Sequence, residues 1–149
     1  MTDRVTEQTT IAASPEVVRA VLLDFPRYPE WAKDLKEVEV LTTDDQGRGT
    51  EVRFRAAGMG RSTSYVLRYD LSDEARVAWK LTEGDIVRKL DGHYEFHADP
   101  ADPGVTVVDY ELEAELIVPI PGFVKRRTQG RIMHAALREL KTHVETSAS

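Results

Sequence analysis

The stretch Val105-Thr-Val-Val-Asp-Tyr-Glu-Leu-Glu-Ala-Glu-Leu116 alternates between apolar and acidic residues from Val108 onwards. Because successive side chains of a β-strand point to opposite faces, one face of this stretch is apolar and the other carries a row of carboxylates. This pattern is typical of an antiparallel sheet that is covered on one face and solvated on the other. We expect the strand to span Val105–Val118.

The same period of two recurs through most of the chain upstream of this strand. The segments between these alternating stretches are short and rich in Gly, Asp and Pro. Such segments favour tight turns, so we expect neighbouring strands to pair antiparallel as a meander. The further predicted strands are Val5–Ile11, Leu35–Thr43, Gly49–Ala57, Ser62–Leu71, Arg76–Leu81 and Arg88–His97.

Two short helices are predicted between the first and second strands. Ser14-Pro-Glu16 supplies an N-cap, a proline at the first helical position and an acidic residue in the first turn. Tyr28-Pro-Glu-Trp31 indicates a second helical turn. The apolar residues of the first helix recur at helical spacing and are Val17, Val18, Val21, Leu22 and Phe25.

A long amphipathic helix is predicted from Pro121-Gly122 to about Glu145. Its apolar stripe needs a large partner, which only the sheet provides. Gly130 within it could mark a close approach of the sheet or of a ligand. The predicted fold is α+β, with a seven-stranded curved antiparallel sheet around this helix in one domain of residues 1–149. The predicted stripe is Phe123, Gly130, Met133, Leu137, Leu140 and Val144.

Composition excludes several kinds of function. The chain has 149 residues, no cysteine and a formal net charge of −6, which excludes thiolate chemistry and disfavours nucleic-acid binding. The longest apolar segment, Leu116–Phe123, is too short to span a bilayer. We expect a soluble cytoplasmic protein, monomeric or homodimeric, without stable membrane insertion or cofactor. His93 and His97 are about 13 Å apart along a strand, so we expect no metal site.

The face predicted to be covered carries four of the five tyrosines together with a tryptophan. A buried hydroxyl without a partner costs about 1–3 kcal/mol, so a solid core would favour Phe or Leu. Polar-tipped rings suit the wall of a ligand pocket, although tyrosine also has high strand propensity and its hydroxyl can reach solvent at a sheet edge. These residues of the covered face are Tyr65, Tyr69, Trp79, Tyr94 and Tyr110.

The order of several loose motifs resembles the START-like (SRPBCC, helix-grip) superfamily, in particular its polyketide cyclase/dehydrase and lipid-transport family. The resemblance covers nearly the whole chain. It is carried by Ile11-Ala-Ala-Ser-Pro-Glu-Val-Val18, Asp24-Phe-Pro-Arg-Tyr-Pro-Glu-Trp31, Val38-Glu-Val-Leu41, Trp79-Lys-Leu-Thr-Glu-Gly-Asp85, Gly92-His-Tyr-Glu-Phe96, Val105-Thr-Val-Val-Asp-Tyr110 and Pro119-Ile-Pro-Gly122.

The resemblance implies a cavity between a curved sheet and the C-terminal helix, without implying catalysis. The expected function is binding, and possible carriage, of a small hydrophobic molecule such as a lipid, quinone or polyketide-like aromatic. The residues expected to line the cavity are Trp31, Phe54, Tyr65, Tyr69, Trp79, Tyr94, Tyr110, Leu112, Arg127, Met133 and Leu137.

An enzyme of the polyketide cyclase or aromatase type, catalysing aldol cyclisation or dehydration, is the alternative. Arg127 would stabilise an enolate oxygen, while His134 or Tyr94 would move protons. The guanidinium of Arg127 could instead reach solvent, and His134 could be an ordinary surface histidine. A third hypothesis, docking on a partner through the basic segment Lys125–Arg127, rests on charge alone.

Overall fold

The computed structural model describes residues 3–58, 61–116 and 122–147. The elements alternate as the sequence predicts, with two short helices after the first strand and one long helix at the end. In chain order they are β1 (Asp3–Ile11), α1 (Pro15–Leu23), a 3₁₀ helix (Phe25–Glu30), β2 (Leu35–Thr43), β3 (Gly49–Gly58), β4 (Arg61–Asp70), β5 (Arg76–Gly84), β6 (Val87–Asp99), β7 (Asp102–Leu116) and α2 (Gly122–Ser147).

The seven strands form one curved antiparallel sheet in the order β1-β7-β6-β5-β4-β3-β2. The predicted meander is confirmed from β2 to β7. The first strand pairs with the last, and Thr9 lies opposite Val108 while Val5 lies opposite Leu112. The predicted fold class, with its short helices and terminal helix, is confirmed.

The hairpin between β6 and β7 is longer than predicted. Both strands continue into the segment assigned to a loop, so that Asp99 pairs with Asp102. The two aspartates stabilise this tight turn, because their carboxylates accept hydrogen bonds from the backbone N–H groups of Ala101 and Gly104, each at 2.9 Å. The last two residues of the predicted strand, 117 and 118, lie outside the described residues.

The first helix begins as its sequence predicts. The Ser14 hydroxyl accepts a hydrogen bond from the Val17 N–H at 3.4 Å, with Pro15 in the first turn. The helix buries Val18 and Leu22 completely, and both pack in one core cluster with β1 and α2.

Hydrogen bonds to the segments that follow β1 and the 3₁₀ helix fix the C-terminal half of α2. The Lys141 ammonium donates to the carbonyl of Thr10, and the Glu145 carboxylate accepts from the Ala12 N–H at 2.9 Å. On the other side, Glu139 accepts from the backbone N–H of Lys33, beyond the 3₁₀ helix, at 3.3 Å. These bonds hold α2 along β1, where it makes its closest approach to the sheet.

The buried stripe of α2 is rotated from the predicted one. Met133, Leu137, Leu140 and Val144 are buried as expected, but Gln129 occupies the stripe one turn before Met133. Gly130 is only half-buried, and the side chain of Phe123 lies outside the described residues.

Candidate ligand-binding site

The aromatic side chains of the covered face form a continuous series of ring contacts. Neighbouring ring centroids are between 4.5 Å and 6.0 Å apart, the range in which aromatic pairs attract each other. The series joins the sheet to the 3₁₀ helix. Its members are Tyr65, Phe54, Tyr28, Trp31, Phe25, Tyr69, Trp79, Tyr94 and Tyr110.

Trp79 is the centre of this series on the sheet. Its ring centroid lies 5.3 Å from that of Tyr94, 5.9 Å from that of Tyr110 and 6.0 Å from that of Tyr69. All four side chains are buried. The alternation in β4 to β7 therefore predicts the covered face correctly, and it brings tyrosines from three strands around one tryptophan.

The 3₁₀ helix supplies a second set of rings that the alternation of strands could not predict. Phe25 lies 4.6 Å from Tyr69 and 5.3 Å from Tyr28 by ring centroids. Tyr28 contacts Trp31 at 5.0 Å, and Trp31 stacks on His143 of α2 at 5.9 Å. Trp31 thus lies beside the other rings, and Tyr28, Phe25 and His143 are aromatic residues that the sequence analysis did not assign to this group.

Four of the five tyrosines, Tyr28, Tyr69, Tyr94 and Tyr110, are buried, and Tyr65 is half-buried. Burial raises the pKa of Tyr69 well above its ordinary value, with further contributions from the nearby hydroxyls of the other four tyrosines. Burial likewise raises the pKa of Tyr28, Tyr65, Tyr94 and Tyr110. All five phenols therefore remain neutral at physiological pH and act as hydrogen-bond donors rather than as bases.

The hydroxyl of Tyr28 has a partner within the protein, since it donates a hydrogen bond to the Leu22 carbonyl. Tyr94 and Tyr110 lie directly opposite each other on β6 and β7. Their interaction raises the pKa of Tyr110 and lowers that of Tyr94, against the larger effect of burial.

The expectation that Arg127 lines the pocket is wrong, because its side chain is exposed. Each residue turns an α-helix by about 100°, so a residue two positions before the buried Gln129 points to the far side of α2. The predicted stripe misplaced the helix phase by including Gly130 and omitting Gln129. The side chains of Lys125 and Arg126 lie outside the described residues.

His134 also lies on the surface. Its side chain is 65% exposed, and its Nδ1 lies 3.0 Å from a carboxylate oxygen of Glu7 on β1. This surface contact ties α2 to the first strand. Of the three candidate catalytic residues, Tyr94 alone is buried among the rings of the covered face.

A buried glutamine on α2 is the polar residue that sequence reasoning missed. The Gln129 side chain donates from Nε2 to the carbonyl of Leu112 at 2.9 Å. Leu112 itself, Met133 and Leu137 are buried in the same core cluster. A hydropathy pattern assigns glutamine to an exposed face. The hydrogen bond to the Leu112 carbonyl, which compensates the burial of Gln129, depends on tertiary structure and leaves no trace in that pattern.

The outer face of the sheet carries paired charges and an open recess of about 770 Å³. Two carboxylates of β7, Glu111 and Glu113, are half-buried and form ion pairs. Glu113 pairs with Arg4 at 3.2 Å and with Lys89, and Glu111 lies 3.5 Å from His93. Within the described ranges, no group of three or more metal-ligating side chains comes together.

Comparison with known proteins identifies the family. A family model described as "Polyketide cyclase / dehydrase and lipid transport" matches residues 2–145. The chain belongs to this family. Its seven-stranded sheet and terminal helix are accordingly the START-like fold of a family of hydrophobic-ligand binders and polyketide cyclases.

Solved structures of this fold agree with the family. A START superfamily protein from Mycobacterium smegmatis has a TM-score of 0.88 at 24% identity, with 96% of this chain and 97% of that chain covered. The ZhuI aromatase/cyclase from Streptomyces sp. R1128 has a TM-score of 0.83 at 19% identity, covering 100% and 97%. A protein from Thermus thermophilus has a TM-score of 0.80 at 24% identity, covering 99% and 100%. At these identities the likeness shows the fold alone.

Two further comparisons give negative results. No curated protein matches the sequence. Among the helices of the described residues, none is both long enough and apolar enough to cross a membrane.

Proposed function

We propose that this protein binds a small hydrophobic molecule, and carries it, in a cavity between the covered face of the sheet and α2. The observation that carries the proposal is the set of three buried tyrosines, Tyr69, Tyr94 and Tyr110, whose rings surround that of Trp79 on the covered face.

Energetics support a space beneath these rings. Burying a phenol whose hydroxyl has no acceptor costs about 1–3 kcal/mol, so a solid core would use phenylalanine at most of these positions. Phenols that border a cavity avoid this cost, because a water or a ligand can accept the proton.

The degree of burial also supports a cavity. Met133 and Leu140 on α2 are 0% exposed, as expected in close packing. Tyr94, in the middle of the sheet, retains 8% exposure although burial strongly raises its pKa. Residual surface on a side chain so deep is what a ring bordering an internal space would have.

The position of α2 supports the same proposal. Its hydrogen bonds to Thr10 and Ala12 hold its C-terminal half along β1 at one side of the sheet. Trp79 lies on β5, the central strand of the sheet, and the strands β7 and β6 separate β5 from β1. The rings of the central strands are thus offset from the line along which the helix packs most closely.

The alternative of a cyclase working through Arg127 and His134 loses two of its three groups, because both side chains are on the surface. Tyr94 is a neutral phenol, able to donate a proton but poorly suited to remove one. Binding is therefore favoured over aldol catalysis by the mechanism considered.

Equilibrium dialysis against fluorene, a flat hydrocarbon without polar atoms, tests the proposal. We expect saturable binding of one fluorene per chain. Replacing the central ring by Trp79→Leu should weaken binding, whereas Lys80→Ala, its neighbour on the opposite face, should leave it unchanged. Absence of fluorene binding, or equal effects of the two substitutions, would contradict the proposal.

A further inference from the structure

The surface of α2 carries a concentration of positive charge that the proposed cavity does not use. Between Glu115 and Glu139 the sequence has five basic residues and no acidic one, although the whole chain has a formal net charge of −6. Three of these basic residues, Arg127, Arg131 and Arg138, are exposed. An acidic chain thus presents one basic segment to solvent.

The three arginines lie in one row along the helix. Because each residue turns an α-helix by about 100° and advances it by about 1.5 Å, positions 127, 131, 134 and 138 fall within about 60° of one another and extend over about 16 Å. His134 is 65% exposed and contacts Glu7 of β1 through Nδ1. The basic row, defined as Arg127, Arg131, His134 and Arg138, is therefore narrow and straight.

The arginines of the basic row have no counter-ion in the protein. Within the ranges that the structure describes, the side chains of Arg127, Arg131 and Arg138 form no ion pair and no hydrogen bond. The acidic residues of α2, Glu139 and Glu145, bind backbone N–H groups of other elements instead. Arg127 and Arg131 are four residues apart, so their like charges repel each other until an anionic partner neutralises them.

We infer that the basic row is a docking surface for an acidic α-helix of a partner protein. A helix whose carboxylates recur at the spacing i, i+4, i+7 and i+11 has an acidic row of the same length and width. Laid along α2, it places a carboxylate beside each arginine, and the matched charges fix its register.

Two other anionic partners fit this surface less well. A helix that binds a lipid surface inserts apolar side chains into it, whereas Met133, Leu137, Leu140 and Val144 of α2 are buried in the core. Ile132, 51% exposed, is the exception among the large apolar residues described on this helix. Nucleic acid carries negative charge along its whole length and would also meet the acidic remainder of the chain, while one acidic helix needs only the row.

A nuclear magnetic resonance titration with two alanine-based helical peptides tests the inference. Both peptides have the same length and composition, with four glutamates. In the row peptide the glutamates stand at i, i+4, i+7 and i+11, and in the scrambled peptide they are spread evenly around the helix. The row peptide should shift the amide resonances of residues 127–138 and bind about tenfold more tightly than the scrambled one, because it alone can pair with all three arginines at once. This preference should weaken at high salt.

Arg131→Glu should reduce the affinity for the row peptide about tenfold, since an attractive pair in the middle of the row becomes a repulsive one. Arg68→Glu is the matched control. Arg68 is exposed on β4, borders the recess on the outer face of the sheet and likewise has no ion pair among the described residues. This variant should keep the affinity, which separates the effect of the row from that of net charge.

Absence of saturable binding, equal affinities for the two peptides, or equal losses in the two variants would overturn the inference. It would also be overturned if vesicles containing phosphatidylserine bound the protein more tightly than the row peptide and Arg131→Glu abolished that binding. The inference does not depend on the ligand cavity, so each of these results leaves the proposed function standing.

Discussion

Gly92 lies directly opposite Trp79 in the pairing of β5 with β6, and the indole ring occupies the space that a side chain at Gly92 would need. A Cβ atom built at Gly92 would be 3.0 Å from Cζ2 of Trp79 and 2.4 Å from the carbonyl oxygen of Glu111. The absence of a side chain at this position therefore lets the central ring of the candidate site lie against the sheet.

Gly92→Ala should destabilise the protein. The added methyl group meets a backbone carbonyl that cannot move without distorting β7, and overpacking of this kind costs about 1–3 kcal/mol. Urea unfolding measures the change. A variant as stable as the wild type would show that Trp79 does not depend on this gap.

Gly130→Ala should have the opposite effect. Among the described residues, nothing lies within 4 Å of a Cβ atom built at Gly130, so of the two alternatives considered for this glycine, a close approach of the sheet is not what the structure shows. Alanine is favoured over glycine inside a helix by up to about 1 kcal/mol. Urea unfolding should therefore show a more stable variant, and a loss of stability would mean that this position is more crowded than the structure indicates.

Arg19→Met should destabilise the docking of α1 on the sheet. The Arg19 guanidinium donates to the carbonyls of Leu71, Asp73, Glu74 and Arg76, at 3.0 to 3.4 Å. Hydrogen bonds from a charged donor contribute about 1.5–3 kcal/mol, and the substitution removes the donor from the part-buried carbonyls of Leu71 and Arg76.

The matched control for Arg19 is Arg27→Met. Arg27 forms an exposed ion pair with Glu30 at 3.1 Å, and such pairs contribute little. Thermal unfolding should separate the two variants, with Arg19→Met melting clearly lower. Equal melting temperatures would contradict a structural role for the four carbonyl contacts.

Stability should fall on acidification partly through Glu145. Hydrogen bonds from the Ala12 N–H and from Lys141 lower the pKa of Glu145 below its ordinary value of 4.5. A carboxylate whose pKa is lower in the folded state stabilises the protein above its unfolded-state pKa, and this contribution is lost as the pH falls through the folded-state pKa.

Glu145→Gln should therefore be less stable than the wild type at pH 7, and the difference should close as the pH falls below the ordinary glutamate pKa and through the lowered one. Urea unfolding across this range measures both proteins. A difference that stays constant with pH would mean that the charge of Glu145 contributes nothing.

The parts of the fold that the sequence predicts are those that leave a local pattern of apolar and polar residues. A strand with one covered face shows alternating apolar and polar residues. This alternation within β4, β5, β6 and β7 was enough to predict that Tyr69, Trp79, Tyr94 and Tyr110 lie on the covered face. The pairing of β1 with β7 depends on a contact between the two ends of the chain, which no local pattern contains.

The site was predicted less completely, for two physical reasons. Tyr28 joins the rings from a 3₁₀ helix, where alternation has no meaning. Gln129 is buried and forms a hydrogen bond with the Leu112 carbonyl. Because this residue is polar, the hydropathy pattern does not show that its position belongs to the buried face of α2. The sequence analysis therefore assigned Arg127 to the buried face of the helix, whereas its side chain is exposed.

A crystal structure of the protein grown with fluorene tests the central claim most directly. The account predicts that the three rings of the probe lie between the sheet and α2, against Trp79 and Tyr94. Finding that space filled by protein side chains, with the probe absent or bound on the outer face beside Lys80, would contradict it.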